Sequence, residues 1–243
     1  YALPPVISSV VWSGTILALL LLWAARDGAA RYQPTNTTIL YISDVGARYK
    51  SLFIAGATVS VIFFLLSITI DRHLRHVGYL PPALRKREWW FAVLSIFFAF
   101  VGSICIILLT IFDDVNHDAT HWTLTLVFII GLALSALFSC LEVWWLQKDY
   151  DLAGRPWKYL WESQKIKLTV AALAIVMIIL MVSCGGVGSK HSTTVNTSAS
   201  TTSATAPDPR CNGAQSAAAV LEWFIAFPLI AAYFASFLAD AWP

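Results

Sequence analysis

The stretch at residues 89–146, WWFAVLSIFFAFVGSICIILLTIFDDVNHDATHWTLTLVFIIGLALSALFSCLEVWWL, decides the fold. Its apolar arms run from about Trp89 to Phe112 and from about Trp122 to Leu146, and each is long enough to cross a bilayer as helix at about 1.5 Å per residue. Between them Asp113, Asp114, His117, Asp118 and His121 form the densest cluster of acid and imidazole in the chain. A turn of that polarity between two spans has to lie at a membrane surface.

The rest of the chain follows the same pattern. Of its 243 residues, 58% are hydrophobic and 12% charged, with a mean hydropathy of +0.69, which is too apolar for a soluble domain whose surface must be wetted. Windows of about 19 residues place apolar runs at 4–25, 51–70, 89–112, 122–146, 166–184 and 215–238. The expectation is an all-α integral membrane protein, a single domain built as a six-transmembrane-helix bundle. A barrel would need alternating polar and apolar positions, and the run from Val59 to Leu66 has none. A start at Tyr1 and an end at Pro243 fit a piece of a longer chain with trimmed tails.

Basic residues set the orientation. Arg72, Arg75, Arg85, Lys86 and Arg87 follow the second span, and Lys148, Arg155, Lys158, Lys165 and Lys167 follow the fourth. The positive-inside rule puts these loops and both termini in the cytosol. The Asp/His turn then faces the exterior or a lumen. Asn36 and Asn196, each in an Asn-x-Ser/Thr acceptor, fall on that exterior side as glycosylation candidates. Cys184 and Cys211 bracket the last exterior loop and are candidates for a disulfide closing it, whereas Cys105 and Cys140 read as small apolar fillers within spans. Residues 185–213, rich in Ser, Thr and Ala, read as a mobile exterior loop.

Three groups of residues can carry function. Asp113, His117 and His121 are spaced four and four, so continued helix would put them on one face. Three such ligands with an open position suit zinc, with Asp44 and Glu222 as further ligands from neighbouring segments. The same residues also suit a proton-sharing or lipid-headgroup pocket, together with Ser43 and Trp223, or simple capping at the water boundary. Ser43 or Asp44 reads as a cap for the second span. Glu222 lies below the exterior surface, where an ionisable group needs a partner or a cavity, while Glu142 is placed to reach out to the cytosolic surface. Finally, Arg85, Lys86, Arg87, Lys148, Arg155 and Lys158, interleaved with Trp157 and Trp161, suit docking to anionic lipid or a cytosolic partner. Gly56 with Ser60, and Gly131 with Ser135 and Ser139, read as helix-packing faces. Phosphate loops, nucleophile elbows and His-Glu-x-x-His motifs are absent from the sequence, and no cofactor or nucleic-acid partner is expected.

The string Tyr41-Ile42-Ser43-Asp44-Val45-Gly46-Ala47, Phe112-Asp113 with His117 and His121, and Glu222-Trp223 together resemble the FRAG/DRAM/SFK family of six-span membrane proteins. The resemblance is greatest to its fungal suppressor-of-four-kinase type, through the first string, Leu52-Phe53-Ile54 and the Ser/Thr-rich loop. It implies a plasma-membrane protein without enzymatic activity. Such a protein helps localise a phosphatidylinositol 4-kinase complex and maintains phospholipid asymmetry and sterol retention, with anionic phospholipid, phosphoinositide and sterol as lipid partners. Other branches act at lysosomes or remodel the lipid of GPI anchors in the Golgi or endoplasmic reticulum. The enzymatic alternative would use His117, His121, Asp113 and Glu222 as its catalytic residues. At Arg48-Tyr49-Lys50 the chain is basic where many relatives carry Pro-Glu.

Overall fold

The computed structural model describes residues 2–32, 37–80, 82–152, 160–182 and 209–240. Among them every regular element is helical. α1 (Leu3–Leu21) opens with prolines in its first turn, where the missing N–H has no helical partner to lose, and runs into a π turn at Leu22–Arg26. The short α2 (Ile42–Arg48) precedes the long α3 (Lys50–Val77), α4 (Lys86–Ile111) and α5 (Asp114–Leu152). Then come α6 (Leu160–Val182), α7 (Pro209–Phe224), a π segment at Ile225–Ile230, and α8 (Ala231–Asp240). Pro228 lies in that π segment. Its ring nitrogen cannot donate, so the ladder loses a rung there and the turn widens.

Among the described residues five segments are long and apolar enough to cross a membrane: Leu3–Arg26, Lys50–Val77, Lys86–Ile111, Ala119–Leu152 and Asn212–Leu238. The run expected at 166–184 falls in α6, a 23-residue helix packed against α5, α7 and α8. This is a multi-pass membrane protein. Two helices outlast their apolar runs: α3 continues to Val77 and α5 to Leu152, because the charged residues that follow pair within the bundle.

Small residues set the helix contacts, as the sequence predicts. A Cβ on Gly56 would lie 2.0 Å from Thr15 Oγ1 of α1, so only glycine allows α1 and α3 to approach so closely. Beside it Ser8 Oγ donates to the Ser60 carbonyl at 2.8 Å. A Cβ on Gly131 would lie 3.2 Å from Gly102 Cα, bringing α4 and α5 to backbone contact. Ser95 Oγ donates to the Ser135 carbonyl at 2.9 Å, and Ser135 shares a 3.0 Å hydrogen bond with the Tyr233 hydroxyl. Buried hydroxyls thus pair across helices, which in hydrocarbon they must do. The aromatic centre is Phe64, whose ring lies 4.5 Å from that of Phe234.

Candidate functional site

The Ile42–Arg48 string forms its own helix rather than a cap for α3. Asp44 Oδ2 reaches back to accept from the Tyr41 N–H at 3.0 Å, satisfying a donor that the first turn of α2 leaves open. Ile42 and Val45 are buried. A Cβ on Gly46 would come within 2.3 Å of the Phe53 ring, so the glycine lets α2 fold back onto α3. α2 contacts α1, α4, α5 and α7, and therefore sits across one end of the bundle.

What fixes it there is the Glu222-Trp223 pair. Glu222 Oε2 accepts from the Ile42 N–H at 3.0 Å, and Trp223 Nε1 donates to the Leu40 carbonyl at 2.9 Å. The Tyr41 hydroxyl donates to the Gln215 carbonyl at 2.9 Å. Trp23, at the end of α1, stacks on Trp223 with the ring planes 8° apart. Two strings nearly two hundred residues apart in sequence are one contact in space.

Two acidic residues tie the surrounding loops. Asp27 accepts from the Tyr32 and Tyr49 hydroxyls at 2.7 and 3.0 Å, and Arg48 Nε lies 3.4 Å away. The Tyr32 hydrogen bond, with Tyr49 and Arg48, holds Asp27 below its ordinary pKa, while burial and the Asp27 charge push Tyr32 up. Asp113 accepts from Lys50 Nζ at 2.9 Å and from Asn116 N at 3.0 Å. The Lys50 bond above all brings Asp113 down to about 2.

The shared face expected of Asp113, His117 and His121 does not form. His117 has φ −138° and ψ 44°, which kinks the start of α5. Asp113 turns to Lys50, and His117 is exposed, with its ring 5.3 Å from that of Phe112. His121 is buried, with Nδ1 2.7 Å from the Phe112 carbonyl. A carbonyl only accepts, so Nδ1 carries the proton. Among the described residues no three His, Cys, Asp or Glu side chains are placed to hold a metal ion. Of the expected pocket residues, Asp44 and Trp223 secure α2, whereas Ser43 and Glu222 line a cavity beneath it. That cavity, about 50 Å³, is otherwise walled mainly by Trp12, Ile16, Phe53 and similar apolar side chains, with Thr125 as a further polar group. The sequence reading places Ser43 and Glu222 in a pocket, but its apolar walls and Thr125 are not legible there.

The opposite end holds the basic residues. Asp149 receives Arg87 Nη2 at 2.7 Å and Arg85 Nε at 3.2 Å, and the Arg87 guanidinium lies 3.8 Å over the Trp145 ring. Buried Glu88 starts α4 by accepting from Leu84 N at 2.7 Å and Arg85 N at 3.2 Å. Arg87 is thus part of the clamp between α4 and α5. Lys86 and Lys148 are exposed, as are Trp89, Trp90 and Trp144. Glu142, expected to reach outward, is buried and paired with Arg72. Lys167 is enclosed as well, with Nζ 4.4 Å from the Phe237 ring. Asn36, Arg155, Trp157, Lys158, Cys184 and Asn196 lie outside the described residues, as do the side chains of Trp161 and Cys211.

The profile of the Frag1/DRAM/Sfk1/Cwh43P N-terminal domain matches residues 1–243. The chain belongs to this family. It is 33% identical over 149 residues to the protein sfk1 of Schizosaccharomyces pombe, a match covering 60% of this chain and 43% of that relative. The chain thus matches less than half the length of that relative. No solved structure matches. Of the three groups of residues that carry the family resemblance, two, the α2 string and Glu222-Trp223, clasp each other.

Proposed function

We propose that the protein is a plasma-membrane scaffold of the Sfk1 type that helps localise a phosphatidylinositol 4-kinase complex and so supports phospholipid asymmetry and sterol retention. In this reading α6 is a sixth crossing and both termini are cytosolic. The Asp149 end then faces the inner leaflet, and the α2 end the exterior, where Asn36 and Asn196 carry glycans and Cys184 pairs with Cys211. Family membership supports the assignment.

The observation that carries it is the surface around Asp149. There exposed Lys86 and Lys148 stand beside exposed Trp89, Trp90 and Trp144. Ammonium groups attract anionic inner-leaflet lipid by about 1 kcal/mol each, and indoles settle at headgroup level. Arg85 and Arg87 contribute less free charge, because Asp149 holds both. In this reading Arg155, Trp157, Lys158 and Trp161 also take part in docking to anionic lipid or a cytosolic partner.

The test follows plasma-membrane phosphatidylinositol 4-phosphate with a lipid-binding reporter in cells expressing the intact protein or Lys86→Gln/Lys148→Gln at equal levels. The double variant is expected to lower reporter recruitment and to displace the kinase from the membrane. Unchanged kinase placement would sink the proposal.

A further inference from the structure

Glu88, in the first turn of α4, has a fully enclosed side chain with only half of its hydrogen bonding met. Oε2 accepts from the Leu84 and Arg85 N–H groups at 2.7 and 3.2 Å, but Oε1 is buried with no hydrogen-bond donor in reach. Arg87 Nε stands 3.9 Å from it, too far for a bond. That guanidinium is fixed elsewhere: it lies 3.8 Å over the Trp145 ring and gives Nη2 to Asp149 at 2.7 Å. A buried acceptor left in this state is expensive.

What does meet Glu88 is a second acid. The carboxyls of Glu88 and Asp149 lie in hydrogen-bonding contact with each other, with the Arg87 guanidinium beside both. Two carboxylates have only acceptors to offer, so such a contact needs one of them to be an acid. Asp149 is the one to stay ionised, because Arg87 Nη2 and Arg85 Nε both reach its Oδ2. On Glu88 a proton at Oε1 turns the orphaned acceptor into a donor, and Oε2 becomes the carbonyl oxygen that takes the two backbone N–H groups.

The other charged side chains described at this end face elsewhere. Asp71, Arg72 and Arg75 of α3 gather around Glu142 of α5. Lys167 of α6 lies against the Phe237 ring, and Lys165, Lys86 and Lys148 are exposed. Arg85, Arg87 and the two acids are left to act on one another.

We propose that Glu88 and Asp149 form a proton-binding site, in which one proton held on Glu88 Oε1 and given to Asp149 locks the start of α4 to the end of α5. Two guanidiniums against one carboxylate leave the locked clamp with one net positive charge. When the proton leaves, that charge is cancelled and two anionic carboxylates touch, so the joint slackens as pH rises. An ordinary Arg–Asp bridge behaves the other way and is weakened by acid. The site stands on the geometry of the clamp, whatever the surface beside it docks.

The test takes the full chain in maltoside detergent from about pH 5 to about pH 9, from just above the ordinary glutamate value to the upper values known for buried carboxyls. Infrared difference spectra should show a protonated-carboxyl band that disappears as pH rises and is missing from Glu88→Gln. The glutamine keeps a carbonyl for the Leu84 and Arg85 N–H groups and offers Asp149 a permanent N–H. The thermal unfolding midpoint of the parent should therefore fall by about 2–4 °C relative to Glu88→Gln across the range. Asp149→Asn, which also supplies a permanent donor to the contact, should remove the same alkaline decline and is read in its place if Glu88→Gln does not fold. Parallel midpoint profiles for parent and variant would overturn the proposal. So would a parent that weakens toward acid relative to the variant, or a parent at pH 5 whose carboxyl band is unchanged in Glu88→Gln.

Discussion

Replacing Trp223 by Phe tests whether the Glu222-Trp223 pair holds α2 across the end of the bundle. The substitution removes the indole N–H that donates to the Leu40 carbonyl at 2.9 Å. Leu40 is fully enclosed, so no water replaces that donor, and a buried acceptor left unmet costs about 1–3 kcal/mol. The smaller ring also leaves space against Trp23, adding about 1 kcal/mol. Local opening of the 40–48 segment should become easier by about 2–4 kcal/mol, which lowers amide protection there about 30- to 900-fold. Hydrogen exchange read by mass spectrometry measures this directly, with amides of α3 around Val61 as the unchanged reference. Glu222→Gln is the control: its amide oxygen still accepts from Ile42 N–H, so protection should fall less than about tenfold. Equal protection of residues 40–48 in Trp223→Phe and the parent protein would refute the clasp.

Glycine positions give a second contrast. Gly56→Ala drives a Cβ to 2.0 Å from Thr15 Oγ1, whereas a Cβ on Gly14 meets nothing within 4 Å. The first should lose about 1–3 kcal/mol by overpacking and the second gain up to about 1 kcal/mol by helix propensity, read as opposite shifts of the thermal unfolding midpoint. Acid should loosen the tie between α3 and the start of α5. The folded pKa of Asp113 lies below its unfolded 3.8, at about 2, so its contribution is complete above about pH 4 and is lost as pH falls through about 2. Discounted for solvent around Lys50, this is about 1 kcal/mol, and Asp113→Asn should flatten that part of the stability profile between pH 5 and 2. Arg87→Gln leaves Asp149 with Arg85 alone and removes the stack on Trp145. It should cost about 1–2 kcal/mol in detergent unfolding, and Asp149→Asn in the same chain should recover part of that loss.

The helices were legible because twenty consecutive apolar residues have only one way to satisfy their backbone in lipid. The packing faces at Gly56 and Gly131 were legible for a related reason: spacing by four fixes a helical face whatever it packs against. What the sequence withheld was the direction in which polar side chains turn. Asp44 reads equally well as a cap for the helix after it; that it caps α2 instead depends on the chain folding back at Tyr49, which Gly46 permits by admitting Phe53. The spacing of Asp113, His117 and His121 predicts one face only if the helix is unbroken, and the backbone at His117 breaks it. Glu142 and Lys167 look like surface charges by position. Their burial follows from the partners Arg72 and Phe237, supplied by helices distant in sequence. Basic residues near Asp149 likewise divide into clamp and free charge only once the acid is seen between them.

Beyond its kink α5 offers 34 apolar and polar residues in one helix, Ala119–Leu152. At about 1.5 Å each they reach about 51 Å, against a hydrocarbon core of ~30 Å. The sequence reads as a basic, aromatic docking loop from Leu146 onward. The helix makes that segment a rod, with Lys148 and Asp149 riding on it. A partner that meets Lys148 meets a charge fixed to the whole helix, and because Asp149 is clamped by Arg85 and Arg87, that end of α5 can tilt only together with the start of α4.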